Sequence, residues 1–220
     1  MSQKRTDRLT QALRLLDLHY ESFRSAVSFA DETGHPVPSD TRGWSQILLS
    51  ILTGIDSRKR KKGTDFIDGS DVKGANTWEA IDTPRFNGAI KAGTKALTAG
   101  KLESLDHMPF LFFVLWDYSP ETQLPRCRVW CVQPRTDKAF RDMCNKWYAN
   151  RIGGSIISTN FQLHPPRNKD TNEIRNTCGN LLYPLLLWAE RGKTRYEVVE
   201  YDPDVLKTGA CRICGPAGDE

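Results

Sequence analysis

The order of patterns along the chain predicts an α/β fold, one mixed β-sheet with helices on its faces. Three observations carry that expectation. Two amphipathic helix patterns open the chain, a continuous apolar run at Phe110 to Trp116 reads as a strand buried on both faces, and strand-like and helical stretches alternate from there to Tyr201. The 220 residues are 39% hydrophobic and 26% charged, which suits one soluble globular domain spanning 1–220 and argues against wholesale disorder.

The first helix is expected over 5–31, where Leu9, Leu13, Leu16, Tyr20, Phe23 and Val27 recur at helical steps; Gly34, Pro36 and Pro38 end it. Ser39 or Asp40 is placed to cap a second helix with an apolar stripe of Trp44, Ile47, Leu48, Ile51 and Leu52, closed by Gly54. Residues 64–75 read as a β-hairpin whose loop is Ile67-Asp68-Gly69, with Gly69 supplying a positive φ. A helix is expected from Asn87 to about Leu97. Strands follow at Phe110 to Trp116 and, with alternating character, at Arg126 to Val132. Asp137 to Tyr148 fits a helix with Phe140, Met143, Cys144 and Trp147 on one side. Ser155 to His164 reads as a strand, Asn172 to Glu190 as a helix kinked at Pro184, and Glu197 to Tyr201 as a short strand before a Gly/Cys/Pro tail at 205–220.

Longest among the apolar runs are Pro109 to Trp116 and Leu181 to Ala189, far below the ~20 residues of a membrane helix. The opening MSQKRTDR is no apolar signal segment, so a cytoplasmic, membrane-free protein with reduced thiols is expected. The net charge of +4 permits a polyanionic partner without specifying one.

The most informative segment is KKGTDFIDGSDVKGANTW, residues 61–78. In the expected hairpin Asp65 opposes Asp71, and Lys73, two residues on, points to the same face. Phe66 and Val72 then point the other way, into a core. Two facing carboxylates repel, and a divalent cation between them relieves the repulsion with the oxygen ligation that Mg²⁺ prefers. Such a cation polarises a phosphodiester and helps make hydroxide, while an amine orients the water or stabilises developing charge. On pattern alone this is also how a solvent-exposed hairpin with a polar face looks. The five consecutive basic residues Arg58, Lys59, Arg60, Lys61 and Lys62 just before it weigh toward a phosphate-bearing partner.

These residues resemble the PD-(D/E)xK signature of type II restriction endonucleases, with Asp65 as the first acid and Asp71-Val72-Lys73 as the DxK. Thr64 stands where the motif has Pro, and the gap between the acids is short. The longer stretch GTDFIDGSDVKGANTWEAIDTPRFNG, with FQLHPPRNKD at 161–170 and RNTCGNLLYPLLLWAERG at 175–192, resembles the MamI-like group of these enzymes over about residues 43–192. The resemblance implies a restriction-endonuclease-like mixed sheet flanked by helices, and Mg²⁺-dependent hydrolysis of double-stranded DNA by a homodimer at a palindromic site, continuous or interrupted, leaving 5′-phosphate ends. Asp65 and Asp71 would hold the metal and Lys73 would serve the nucleophilic water. Related sites often add an acid or amide from a preceding helix, and Gln46 is the candidate here.

Three clusters offer DNA contacts. Asn76, Arg85 and Asn87 follow the catalytic segment. Asn160, Gln162 and His164 share one face of the expected strand, with Arg167 in the polar loop beyond it. Arg58 to Lys62 suit phosphates. The region 1–40, rich in apolar positions, is the candidate dimerisation element. Cys211 and Cys214 form a CxxC resembling half a zinc site, completed only if the tail folds back on Cys127 and Cys131. Two other classes fit parts of this pattern: a non-catalytic DNA-binding regulator with structural zinc, and a repair nuclease without sequence readout.

Overall fold

The computed structural model describes residues 3–37, 40–58, 63–80, 82–90, 102–207 and 215–216. Helices α1 (Gln3–Thr33) and α2 (Arg42–Thr53) lead into strand β1 (Asp71–Asn76). The short strand β2 (Phe86–Asn87) and the single helical turn α3 (Glu103–Asp106) precede β3 (Leu111–Tyr118) and β4 (Pro125–Val132). Helix α4 (Lys138–Ile152) is followed by β5 (Gln162–Leu163), β6 (Glu173–Asn176), β7 (Gly179–Leu182), β8 (Leu185–Arg191) and β9 (Tyr196–Tyr201). A 3₁₀ turn at Pro203–Leu206 and β10 (Gly215–Pro216) complete the described chain.

The main sheet has the order β1-β3-β4-β8-β9. Its β1–β3 pair is parallel, which requires the long crossover through residues 77–110, and its other pairs are antiparallel. The apolar run at 111–116 is the centre of this sheet, and both of its faces are buried as expected. Phe112, Val114 and Trp116 face a core shared with α1 and α2, whereas Leu111, Phe113 and Leu115 face a second core shared with α4. The mixed α/β architecture with helices on the sheet's faces is therefore observed.

Several expectations are corrected. Residues 172–190 form three strands rather than a kinked helix. Period-two burial in β6 and two-sided burial in β8 account for the apolar content, and a tight turn at Thr177-Cys178 breaks the run where a helix would continue. Cys178 thus sits in that turn; Cys144 does lie on a helix. The strand expected at 155–164 shrinks to Gln162–Leu163, with His164 bridging Arg175. Asn87 belongs to β2 rather than to a helix, and the rest of that expected helix falls largely outside the described residues. At α2 the cap position is Thr41, not Ser39 or Asp40, and Asp40 Oδ1 instead accepts from the Arg42 N–H at 2.9 Å. Leu49 is buried in place of Ile47, which is exposed.

The apolar stripe of α1 is spent inside the chain. Ala12, Leu16 and Phe23 are buried, and Arg191 of β8 reaches Asp17 at 2.9 Å and Glu21 at 2.6 Å while lying over the Tyr20 ring. The motive for assigning region 1–40 to a dimer interface is correspondingly weaker. His19, on the same face, sits among Trp44, Trp78 and Trp116 with ring centroids 5.1, 5.4 and 4.2 Å away. Burial pushes its imidazole down to about 4, so it is neutral at pH 7.

A histidine with a depressed folded pKa contributes stability that is present above its unfolded pKa, about 6.5, and is lost as pH falls through about 4. The loss amounts to roughly 3 kcal/mol. Urea unfolding between pH 7 and pH 4 should show this fall in the native chain and lack most of it in His19→Leu. Equal pH slopes in the two proteins would remove His19 as the cause.

Candidate active site

The site forms at the free edge of β1. Its hairpin reading holds locally but not as two paired strands. Phe66 N–H donates to the Ser70 carbonyl at 3.2 Å and Gly69 N–H to the Phe66 carbonyl at 3.2 Å, closing the expected loop, while Phe66 itself bridges Ser57. Gly69 has φ +96°, and a Cβ there would meet the His107 carbonyl oxygen at 2.6 Å, so the turn demands glycine. Phe66 and Val72 enter the helix-side core as expected.

Asp71 and Lys73 therefore share the other face of β1, and Lys73 Nζ lies 2.6 Å from Asp71 Oδ2. Asp65 Oδ2 accepts from the Val72 N–H at 3.1 Å, satisfying a main-chain donor that an edge strand leaves unpaired. Its Oδ1 accepts from Gln46 Nε2 at 2.6 Å, so the amide from the preceding helix does reach the site. Gln46 is held there by the close approach of α2 to β1. A Cβ on Gly74 would lie 2.7 Å from Ser45 Oγ, so a side chain there would force Ser45 to move. Burial first, then the neighbouring Asp71 carboxylate, push Asp65 up to about 6, against the pull of the Val72 N–H and Lys73.

The donor set suits a hard divalent cation. Two adjacent carboxylates raise each other's cost of ionisation, and a cation with several waters and a phosphate oxygen completes an octahedron around few protein ligands. Among the described residues no group of three or more His, Cys, Asp or Glu side chains is gathered that could hold a metal. Among the described residues, Asp65, Asp71 and Lys73 are the charged groups gathered at this edge.

A cleft leads away from this edge. Lys73, Arg42, Arg85 and Asn87 line its first part; Asn76, Asp82, Thr83 and Pro84 line the next. It ends in a cavity of about 500 Å³ walled by Thr83, Pro84, His164, Arg167, Arg175 and Asn180 among others. The first two sequence clusters are thereby brought together, because β2 pairs with β5 and Asn87 lies opposite Gln162. Asn160 lies in the bend before β5, off the strand that was to carry it. The Asn76 side chain accepts from the Trp78 N–H at 2.8 Å and so shapes the turn after β1. Arg58 is a clamp on the active-site turn, donating to the carbonyls of Phe66 at 2.6 Å and Ile67 at 3.1 Å. Lys59, Arg60, Lys61 and Lys62 lie outside the described residues, as do Cys211 and Cys214. Cys127 and Cys131 are buried in the apolar core, which pushes both thiols up.

One constellation carries no signal in the sequence. Arg126 and Arg128, expected on an alternating strand, are both fully buried around Asp117. Arg126 donates to Asp117 at 2.8 and 3.0 Å and also pairs with Asp170; Arg128 donates to Asp117 at 2.8 Å. Arg126 Nη2 and both Nη groups of Arg128 also hold the carbonyls of Pro166, Lys169 and Thr171, so the loop that presents Arg167 is fastened to the main sheet. Arg42, at the start of α2, is likewise a cleft residue that helix periodicity does not single out.

The profile of the MamI restriction endonuclease family matches residues 28–196. The chain is 34% identical over 161 residues to the type II restriction enzyme MamI of Microbacterium ammoniaphilum, covering 68% of this chain and 51% of that protein. It thus spans about half the length of this curated relative. No solved structure matches it significantly.

An acid whose folded pKa is raised contributes stability that is present below its unfolded pKa, about 3.9, and is lost as pH rises through about 6. Asp65→Asn mimics the protonated form, so without metal it should melt above the native chain at pH 8, and the gap should close on acidification below pH 6. A variant that melts lower at pH 8 would show that the Asp65 carboxylate is not under strain from Asp71.

Proposed function

Since the chain belongs to the MamI restriction endonuclease family, we propose that it is a type II restriction endonuclease hydrolysing double-stranded DNA at a defined site with Mg²⁺. The observation that carries the reading is the meeting of Asp65, Asp71 and Lys73 at one strand edge, at the head of a cleft lined by Arg42 and Arg85. Asp65 and Asp71 would hold the cation, which when bound polarises the phosphodiester and lowers the pKa of water. Gln46 and the Val72 N–H fix the Asp65 carboxylate so that it need not reorganise. Lys73, anchored by Asp71, orients the attacking water and stabilises the charge that builds on the phosphate. Hydrolysis that breaks the P–O3′ bond leaves the 5′-phosphate end expected of this family.

Arg85, Asn87, Gln162, His164 and Arg167 are the base-facing candidates along the cleft, and the basic residues before Gly63 suit phosphates. A homodimer acting on a palindrome, interrupted or not, would match protein symmetry to DNA symmetry. No described helix is long and apolar enough to cross a membrane.

The test is incubation of a plasmid of known sequence with the protein and Mg²⁺. Discrete fragments are expected. Asp71→Ala should abolish them while retaining DNA binding, and Lys73→Ala should slow cleavage by roughly 10²–10⁴-fold. A smear would indicate a nuclease without sequence readout, and binding without cleavage would indicate a DNA-binding regulator. Undiminished cleavage by a folded Asp71→Ala protein would move the chemistry elsewhere.

A further inference from the structure

The small strands β2, β5, β6 and β7 join into one continuous polar ladder. Asn87 lies opposite Gln162 in β2–β5, His164 bridges Arg175 through reciprocal main-chain hydrogen bonds of 2.7 and 3.0 Å, and Arg175 lies opposite Asn180 in β6–β7. Directly opposed residues project to the same side, as do residues two apart on one strand. Asn87, Gln162, His164, Arg175 and Asn180 consequently share one face. The intervening residues Phe86, Leu163, Ile174 and Leu181 are all buried in the core beneath.

Arg175 is exposed, and its guanidinium makes no hydrogen bond or ion pair with the described residues. Burial first, then Arg85 and Arg175, push the imidazole of His164 beside it below its usual range. The cavity of about 500 Å³ that Arg175, Asn180, His164 and Arg167 line contains no acid. Such a surface has an unspent fork of donors beside amide side chains that both donate and accept. A phosphate offers acceptors only, so the accepting half of an amide is useless against it. A base edge presents donors and acceptors together.

We infer that Arg175 and Asn180 are specificity-determining residues, with the Arg175 fork set to read a guanine through O6 and N7 and Asn180 an adjoining base. The inference rests on the reading of the cleft as a DNA-cleaving site. It adds a strand pair, β6–β7, to the base-reading surface on the side of the cavity away from Asp71.

The experiment profiles the native 220-residue chain, Arg175→Ala, Arg175→Lys and Asn180→Ala against a randomised duplex library, by sequencing both the duplexes bound and those cut with Mg²⁺. Arg175 and Asn180 are exposed, so folding is checked simply by melting. Arg175→Ala is expected to lose discrimination at one G·C position per half-site by roughly 5- to 150-fold, with the other positions unchanged. Arg175→Lys should recover discrimination at that position only in part, because an ammonium can reach O6 and N7 but lacks the planar fork. Asn180→Ala should relax a neighbouring position. A uniform fall at every position that Lys restores would mean a phosphate contact and overturn the inference, and so would unchanged profiles. The bound fraction reports on Arg175 even where nothing is cut, which separates failure of the cleavage reading from failure of this one. A native chain that neither binds nor cuts duplex DNA would overturn both.

Discussion

Asp117 is a carboxylate without access to water, and the surface of the cleft depends on it. It accepts from Arg126, from Arg128 and from the Asn168 N–H at 2.9 Å, so both of its oxygens are hydrogen-bonded. Two arginines with Asp117 and Asp170 make a charge-balanced group, and the Nη groups of both arginines also bind main-chain carbonyls of residues 166–171. A buried ion cluster adds little net stability over well-packed apolar side chains, whereas losing one member costs about 3–5 kcal/mol. What it contributes is position. A loop with two prolines and no regular structure is held against β3 and β4, which also carry the edge bearing Asp71 and Lys73 through the β1–β3 pairing.

That edge works by the opposite principle, a local excess of like charge. Asp65 is aimed at Asp71 by Gln46 and the Val72 N–H, and burial makes the arrangement unfavourable for the free protein at neutral pH. A cation bound between the two carboxylates would relieve that repulsion, so stability and cation affinity would draw on the same term. The close contact of Gly74 with Ser45 keeps α2, and with it Gln46, within reach.

Much of this was legible in residue order. The acids and amine at 65, 71 and 73 were found because a turn with an obligate glycine dictates which residues oppose, and that local geometry survives although the flanking strands pair elsewhere. The central strand was evident from its unbroken apolar run. Residues 172–190 were not legible as strands, because long leucine-rich runs satisfy helical and two-sided strand burial equally and only the partners β4 and β9 decide between them. That one ambiguity hid Arg175 and Asn180. Arg126 and Arg128 were hidden for another reason: arginine on an alternating strand reads as solvent-facing, and only a distant Asp117 and loop carbonyls make its burial tolerable.

The central claim is that Asp65 and Asp71 form the metal centre of a DNA-cleaving site. Anomalous diffraction from crystals of the protein with duplex DNA and Mn²⁺, a spectroscopically visible stand-in for Mg²⁺, tests it most directly. The account predicts a peak between the Asp65 and Asp71 carboxylates, with a phosphate oxygen in its coordination sphere and Lys73 Nζ facing it. A peak elsewhere, with Asp65 and Asp71 still joined only to Gln46, Val72 and Lys73, would contradict it.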